Sequence, residues 1–142
     1  MRDIEITQID QLKQTLPETI FKRCQYVVEE NERVVQAKTA LKKNNIVLLG
    51  KLMYQSHEGL KNLYEVSCAE LDFLVAFTKN KSYILGSRMM GGGFGGCTIS
   101  IIASDQKKKF VEKVTAAYQQ QFGIALSPYS VSIEDGAHII SI

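Results

Sequence analysis

The residues from Arg88 to Cys97 read Arg-Met-Met-Gly-Gly-Gly-Phe-Gly-Gly-Cys, so that five of six consecutive positions are glycine. Each glycine in place of alanine costs roughly 0.5–1 kcal/mol of conformational entropy on folding, and a hairpin turn needs only one or two of them. The run therefore predicts a backbone that a ligand or a neighbouring domain approaches closely. The candidate site, called the glycine loop below, consists of Gly91, Gly92, Gly93, Phe94, Gly95 and Gly96.

Phosphate binding is the first chemistry that such a run suggests. Gly91, Gly93 and Gly96 have the G-x-G-x-x-G spacing of dinucleotide-binding turns, but that turn must open a helix, and the β-branched run after Cys97 predicts a strand. No Gly-Lys-Ser or Gly-Lys-Thr occurs, which excludes a Walker-type phosphate loop. The alternative is a solvated hairpin tip without a ligand, which Phe94 disfavours because such a tip has little use for a phenyl ring.

No other group of side chains forms a convincing catalytic constellation. Ser56 and His57 adjoin in sequence, but helix neighbours point about 100° apart, so we expect a structural or interdomain role for His57. Asp72 could serve as a general base, but no second polar group near it in sequence supports that role. Lys107–Lys109 is better explained as a solvated basic turn than as an anion site. The residues alone therefore predict a binding module or part of a larger enzyme, with no catalytic residue in this chain.

Length and composition indicate one globular domain over residues 1–142. A net charge of +2 is too small to predict nucleic acid or an acidic membrane as a partner. No apolar stretch reaches the roughly 18 residues of a membrane span, and the polar start of the chain does not resemble a secretory signal. Three cysteines far apart in sequence predict reduced thiols in a cytoplasmic protein without a metal site.

Hydrophobic periodicity predicts four helices before the glycine loop. A short helix spans residues 7–14, a longer one runs from Glu18 to about Lys43, a third follows the N-cap Asn45, and a fourth follows a capping box over Ser67–Glu70. Gly50 and Gly59 weaken the third helix, and either would mark close packing. The second helix is expected to bury one apolar face, composed of Ile20, Cys24, Val27, Val28, Val34, Val35 and Leu41.

The second half of the chain predicts strands. Ser82–Met89 and Cys97–Ala103 flank the glycine loop, and Ser130–Ile133 and His138–Ile142 are a second, shorter pair. Between the pairs lies a fifth helix, capped by Ser104 or Asp105 and ended by Gly123. Helices and strands mix without βαβ alternation, so the predicted class is α+β, with a small antiparallel sheet packed against helices.

Several stretches together resemble galactokinases, in the superfamily of galactose, homoserine, mevalonate and phosphomevalonate kinases. Arg88 to Thr98 resembles the third motif of that family, and Arg23 to Arg33 resembles its helix of the form Arg-Ala-x-His-Val-Val-x-Glu-Asn-x-Arg. Gly50–His57, Tyr64–Asp72 and the ending Asp135-Gly-Ala-His138 match further stretches in the family's order. The departures are Met90 in place of Thr, Cys24 and Tyr26 in place of Ala and His, and His138 in place of Arg.

The resemblance implies a ferredoxin-like C-terminal kinase domain. It also implies the parent reaction, which transfers the γ-phosphate of ATP, with Mg²⁺, to the C1 hydroxyl of galactose. The family's sugar-recognition motif, its Gly-Leu-Ser-Ser-Ser nucleotide loop and its catalytic Asp and Arg do not occur here, so the fragment is expected to be inactive without its own N-terminal domain. Gly91–Gly96 would wall the interdomain cleft, and Phe94 would pack at the junction. The alternative is a stand-alone α+β module that binds a small molecule or regulates.

Overall fold

The structure, a computed structural model, describes residues 4–133, apart from the side chain of Asp10. Over this range four helices precede a hairpin and a fifth follows it, which confirms the predicted α+β class with a small antiparallel sheet. Short 3-10 helices at Ile6–Gln8 and Ser104–Gln106 lead into the first and fifth helices. The elements are α1 (Ile9–Lys13), α2 (Glu18–Lys42), α3 (Ile46–Asn62), α4 (Ala69–Thr78), β1 (Ile84–Met89), β2 (Thr98–Ile102) and α5 (Lys107–Phe122).

The two strands predicted around the glycine loop are confirmed, each slightly shorter than expected. They pair antiparallel, with Met89 of β1 opposite Thr98 of β2 at the loop end. One step further, the Met90 N–H donates to the Cys97 carbonyl over 2.9 Å. The hairpin is therefore closed directly beneath the glycine loop.

The predicted strand over Ser130–Ile133 is wrong, because the structure assigns these residues no strand. Val131 is 74% exposed and Ile133 is fully exposed. A strand needs a hydrogen-bonded neighbour, and the neighbour that the sequence suggested, His138–Ile142, lies outside the described residues.

Helix α3 crosses β1 so closely that the two backbones are in direct contact at Gly50 and Gly86. A Cβ added to Gly50 would lie 2.0 Å from the Leu85 carbonyl oxygen, and one added to Gly86 would lie 2.4 Å from the Gly50 Cα. A β-bulge between Ile84 and Gly86 leaves Leu85 as the extra residue of β1. Gly59, near the other end of α3, faces side chains and not backbone: an added Cβ would lie 2.8 Å from the Tyr26 ring and 3.2 Å from Arg33 Nη2. The predicted close packing at both helical glycines is confirmed.

Three small apolar clusters hold the elements together. The first joins α4, β1 and α5 and contains Leu74, Ile84, Phe110, Val114 and Tyr118. The second joins α2, α3, α4 and the end of β1 and contains Tyr26, Leu60, Leu71 and Met89. The third, made of Ile9, Phe21 and Val28, fixes α1 against α2. Met89, which ends β1 before the glycine loop, is completely buried.

The buried face predicted for α2 is wrong over most of its length. Val28 is buried, but Ile20, Val34, Val35 and Leu41 are between 49% and 61% exposed. The helix instead contacts α3 through a different face, on which Tyr26 lies against Gly59 and the charged Glu30 hydrogen-bonds to Ser56. Hydrophobic periodicity cannot identify a face whose contacts are aromatic and ionic.

The helix caps are confirmed in two cases. The Leu48 N–H donates to Asn45 Oδ1 over 3.0 Å, so Asn45 caps α3. Gly123 ends α5 in the left-handed conformation, with φ of 69°. The cap predicted at Ser104 or Asp105 is wrong, because no side chain caps α5 and the two residues belong to the 3-10 helix before it.

The capping box predicted over Ser67–Glu70 is also wrong. Cys68 is the N-cap of α4, without a side-chain hydrogen bond. Ser67 donates instead to Asp72 Oδ1 over 2.7 Å. A carboxylate is a stronger acceptor partner than a neutral group, which explains why the hydroxyl turns to it.

Candidate functional site: the glycine loop

The glycine loop joins β1 to β2 through a backbone that few other residues could follow. Five of its residues have positive φ: Gly91 (76°), Gly93 (87°), Phe94 (58°), Gly95 (140°) and Gly96 (97°). A non-glycine residue in this region costs roughly 1–2 kcal/mol, and Phe94 alone bears that cost. The density of glycine in the sequence is thus explained by the path of the chain.

One point fixes the middle of the loop to the turn before α4. The Phe94 N–H donates to the Val66 carbonyl over 2.7 Å. A Cβ added to Gly93 would lie 2.1 Å from that same carbonyl oxygen, so only glycine allows the contact. The hydrogen bond offsets part of the strain at Phe94.

The rest of the loop faces open space. A Cβ added to Gly91, Gly92, Gly95 or Gly96 would meet no atom within 4 Å. The Phe94 side chain is 77% exposed, which is unusual for an isolated phenyl ring held in a strained conformation. On this side the loop therefore exposes its backbone and the Phe94 ring to solvent.

The loop also forms one wall of a cavity of about 210 Å³. Phe94, Gly95 and Gly96 line it from the loop, and Cys68, Leu71 and Tyr118 are among the residues that line it from α4 and α5. This cavity and the open outer side of the loop are the two places where a ligand could contact the glycines.

Arg23 of α2 holds the turn on which the loop rests. Its guanidinium donates to the Leu63 carbonyl and to Glu65 Oε2, and the Val66 N–H donates to the Leu60 carbonyl over 3.0 Å. The position of the Val66 carbonyl, and so of the loop, is tied to α2 and α3.

A second cluster of polar side chains, made of His57, Asp72, Ser67 and Lys61, lies next to the start of the loop. The Met89 N–H donates to His57 Nδ1 at 3.4 Å, and His57 Nε2 lies 3.3 Å from Asp72 Oδ1. Asp72 also accepts from Ser67 over 2.7 Å and pairs with the Lys61 ammonium at 2.9 Å. His57 is only 2% exposed, and its structural or interdomain role stays a prediction. Asp72 has polar neighbours that the sequence did not suggest, and all of them are satisfied within this group.

Burial and neighbouring charges set the protonation of this pair. Burial lowers the pKa of His57, and the attraction of Asp72 and Glu58 only partly opposes that shift. Burial raises the pKa of Asp72, but hydrogen bonds from Ser67 and Lys61 outweigh it and the pKa lies below its ordinary value. At neutral pH the imidazole is neutral and the carboxylate is charged.

A third group of polar side chains connects the loop end of β1, at Arg88, to α2 and α3. Glu30 accepts from Ser56 over 2.5 Å and pairs with Arg33 at 2.7 Å and with Arg88 at 3.4 Å. The Arg88 Nε also donates to the Met89 carbonyl over 3.0 Å. Sequence reasoning missed this cluster, although a charged pair at i,i+3 on α2 is a signal that could have suggested it.

The remaining sequence candidates lie elsewhere. Lys107 bonds to the Ser130 hydroxyl and is exposed, as are Lys108 and Lys109. Among residues 4–133 no three His, Cys, Asp or Glu side chains are grouped so that they could hold a metal ion. None of the helices described is long and apolar enough to cross a membrane. His138 lies outside the described residues.

Comparisons with known proteins agree on one family. The sequence profile described as GHMP kinases C terminal matches residues 37–120. The chain is 44% identical over 136 residues to a galactokinase of Thermotoga neapolitana, a match that spans 96% of this chain and 38% of the relative. It is 42% identical over 134 residues to a galactokinase of Clostridium beijerinckii, spanning 94% and 34%.

Solved structures give the same result. A Lactococcus lactis galactokinase complexed with galactose superposes with a TM-score of 0.82 at 34% identity, covering 87% of this chain and 32% of that one. An L. major mevalonate kinase in complex with R-mevalonate gives a TM-score of 0.59 at 28% identity, covering 78% and 32%. The chain belongs to the GHMP kinase family, in its C-terminal part. It spans little more than a third of the length of the curated galactokinases that it matches.

Proposed function

We propose that this chain is the C-terminal domain, over residues 1–142, of a galactokinase that phosphorylates the C1 hydroxyl of galactose with ATP. The observation that carries the proposal is the outward face of the glycine loop, where four glycines meet no atom within 4 Å. No other part of the described chain covers this side of the loop. In a chain similar to galactokinases, such an exposed loop is suited to line a cleft between two domains. The protein is proposed to act in the cytoplasm.

The loop supplies close backbone approach and not a reacting group. Successive backbone N–H groups in a turn can converge on an anion, so Gly91–Gly96 would contact the sugar or phosphate region. Phe94, exposed here, would pack against the N-terminal domain. Phosphoryl transfer depends on positioning and on neutralising phosphate charge.

The nucleotide and the metal would be held mainly by the rest of the enzyme. The described residues contain no group of carboxylates suited to Mg²⁺, and no step of the reaction is assigned to a metal on this chain. ATP and galactose would meet the glycine loop from the side of the N-terminal domain.

The test is reassembly. The 142-residue chain is expected to consume no ATP with galactose, and co-expression with the N-terminal part of a galactokinase relative is expected to restore activity. Replacing Gly92 by alanine and then valine in the reassembled enzyme should lower activity in steps, while exposed Lys108→Ala on α5 should leave it unchanged. Strong phosphorylation by the isolated chain would contradict the assignment. An upstream Gly-Leu-Ser-Ser-Ser stretch in the same reading frame would support it.

The second candidate, a stand-alone binding or regulatory module, is favoured by the 210 Å³ cavity beside Phe94. It predicts saturable binding of a nucleotide or sugar phosphate by the isolated chain, lost in a Gly96→Val variant because Gly96 lines the cavity. Calorimetry without measurable heat of binding would remove this alternative.

A further inference from the structure

The glycine loop is held at two points, and both lead to the same short segment of chain. Its middle rests on the Val66 carbonyl through the Phe94 N–H, at 2.7 Å. Its start, at the end of β1, is held by the hydrogen bond from the Met89 N–H to His57. His57 contacts Asp72, and Asp72 accepts a hydrogen bond from Ser67. Val66 and Ser67 are consecutive, so both contacts connect the loop to the same turn before α4.

The Met89 N–H points away from β2, so it depends on His57 for its hydrogen bond. The N–H of Met90, directly after β1, donates to Cys97, so the N–H of the preceding residue, Met89, points to the opposite side. There it is buried, since Met89 has no exposed surface, and its acceptor is His57 Nδ1. A buried N–H without a partner costs roughly 1–3 kcal/mol.

The same geometry fixes which ring nitrogen carries the proton. Nδ1 accepts from Met89 and so is unprotonated in the neutral ring, which places the proton on Nε2, 3.3 Å from Asp72 Oδ1. The three acceptor contacts of Asp72, to His57, Ser67 and Lys61, keep its carboxylate from turning away.

We infer that His57 and Asp72 are positioning residues for the glycine loop: the neutral His57 ring, oriented by Asp72, holds the Met89 N–H and so fixes where the loop leaves β1. The catalytic significance of this rests on the proposed function, but the positioning itself does not. A second proton on the ring would place an N–H at Nδ1 against the N–H of Met89. Two donors cannot share a hydrogen bond, so protonation releases the start of the loop.

Charged groups from several elements determine where that release occurs. Asp72 from α4 and Glu58 from α3 favour the charged ring, while Lys61 from α3 and Lys79 at the end of α4 oppose it. Burial also favours the neutral ring. The released state therefore belongs to acidic and not to neutral pH.

The test uses the 142-residue chain with His138→Gln, which removes the second histidine. Amide resonances are followed by NMR between pH 8 and pH 5, and hydrogen exchange is compared at Met89 and at Val75, a buried residue of α4. We expect the amides of Met89 and the glycine loop to shift with the same midpoint as the His57 ring. If the amide resonances of Met89 and the glycine loop did not change with the titration of the His57 ring, the inference would be overturned.

Two variants separate positioning from simple packing. His57→Phe fills the space without an acceptor, and exchange at Met89 is expected to accelerate at least tenfold more than exchange at Val75. His57→Asn retains an oxygen near the Nδ1 position, and it should keep Met89 protected while abolishing the pH response. Equal acceleration at both amides in His57→Phe would mean that the ring only fills the core. Should that variant fail to fold, the wild-type titration and His57→Asn still decide.

A kinetic measurement connects the loop to the reaction. In the reassembled kinase, His57→Phe is expected to lower kcat more than it raises KM, and His57→Asn to remove the decline of kcat at acidic pH. Unchanged kcat in a variant with a displaced loop would refute the link to catalysis. A reassembled enzyme without any activity would instead refute the proposed function and leave the amide results standing.

Discussion

Glycine serves opposite purposes at the α3–β1 crossing and in the glycine loop. At the crossing, added Cβ atoms on Gly50 and Gly86 would lie 2.0 Å and 2.4 Å from backbone atoms, so side chains are absent because the chain contacts itself. In the loop, four of five glycines meet no atom within 4 Å and four of the five have positive φ, so glycine is required by the path of the chain and not by a contact. The first arrangement lets two backbones pack together, and the second leaves a loop backbone exposed; that another molecule or domain covers it stays a prediction.

The largest effect is expected at the crossing. Gly50→Ala forces α3 away from β1, because the obstructing Leu85 carbonyl is backbone and cannot rotate aside. We expect a loss of about 3 kcal/mol or more in the free energy of unfolding, measured by urea denaturation. Gly59→Ala is the matched control in the same helix, where the obstruction is the side chains of Tyr26 and Arg33 and the gain in helix propensity offsets part of the cost. Equal losses would contradict the assignment of Gly50 as a backbone contact.

A smaller and local effect is expected at the loop anchor. Gly93→Ala combines a φ of 87° with a Cβ placed 2.1 Å from the Val66 carbonyl oxygen, so the loop should detach at a cost of about 1–2 kcal/mol. Gly92→Ala, which meets no atom, should change the free energy of unfolding by less than about 0.5 kcal/mol. Hydrogen exchange at the Phe94 amide checks both variants: we expect protection to be lost in Gly93→Ala and kept in Gly92→Ala. This result would show that Gly93 is needed for the contact with Val66 and that Gly92 is not.

The pH dependence of stability is the next smaller effect. The pKa of His57 lies below its ordinary value of 6.5, so the unfolded chain binds the extra proton first as pH falls. Its contribution is fully present above about pH 6.5 and is lost as pH falls toward the lowered value, by at most about 1.4 kcal/mol per pH unit. Urea unfolding at pH 7.5 and pH 5.5, in a His138→Gln background, should show this loss, and His57→Asn should not.

The carboxylates do not obscure that window. The pKa values of Glu58 and Asp72 lie below their ordinary 4.5 and 3.8, so their contributions are lost only in more acidic solution. A stability that stayed constant between pH 7.5 and pH 5.5 in the chain with His57 would contradict a buried, neutral imidazole.

The smallest effect is expected where the loop begins. Met90 is 43% exposed and contacts Cys97 through its backbone N–H, so the hairpin does not depend on its side chain. Met90→Thr should change the free energy of unfolding by less than about 0.5 kcal/mol. A larger change would show that the side chain contributes to the packing of the loop.

The sequence predicted those features that depend on local chemistry. Asn45 and Gly123 were found because a cap needs only its own helix end, and the two strands were found from their β-branched runs and the glycines between them. The exposed glycine loop was expected for the same reason. Its role toward a sugar or phosphate stays a prediction.

The features that sequence reasoning missed depend on contacts between distant segments. Every residue has a backbone carbonyl, so nothing in the sequence marks that of Val66 as the acceptor for the loop. The Ser67 hydroxyl, predicted to cap α4, donates instead to Asp72, five residues later. On α2, apolar side chains such as Val34 are exposed while Glu30 lies against Ser56 and Arg88. Periodicity ranks residues by hydrophobicity, and here a charged side chain and the Tyr26 ring make part of the contact between α2 and α3.

The bulge at Leu85 lets β1 serve two neighbours at once. Beyond it, Gly86 to Met89 pair one to one with Ile101 to Thr98, which keeps the register that directs the Met89 N–H away from β2 and to His57. The extra residue itself brings its carbonyl against Gly50 of α3. One additional residue in the strand therefore accommodates the helix crossing without disturbing the end of the hairpin that carries the glycine loop.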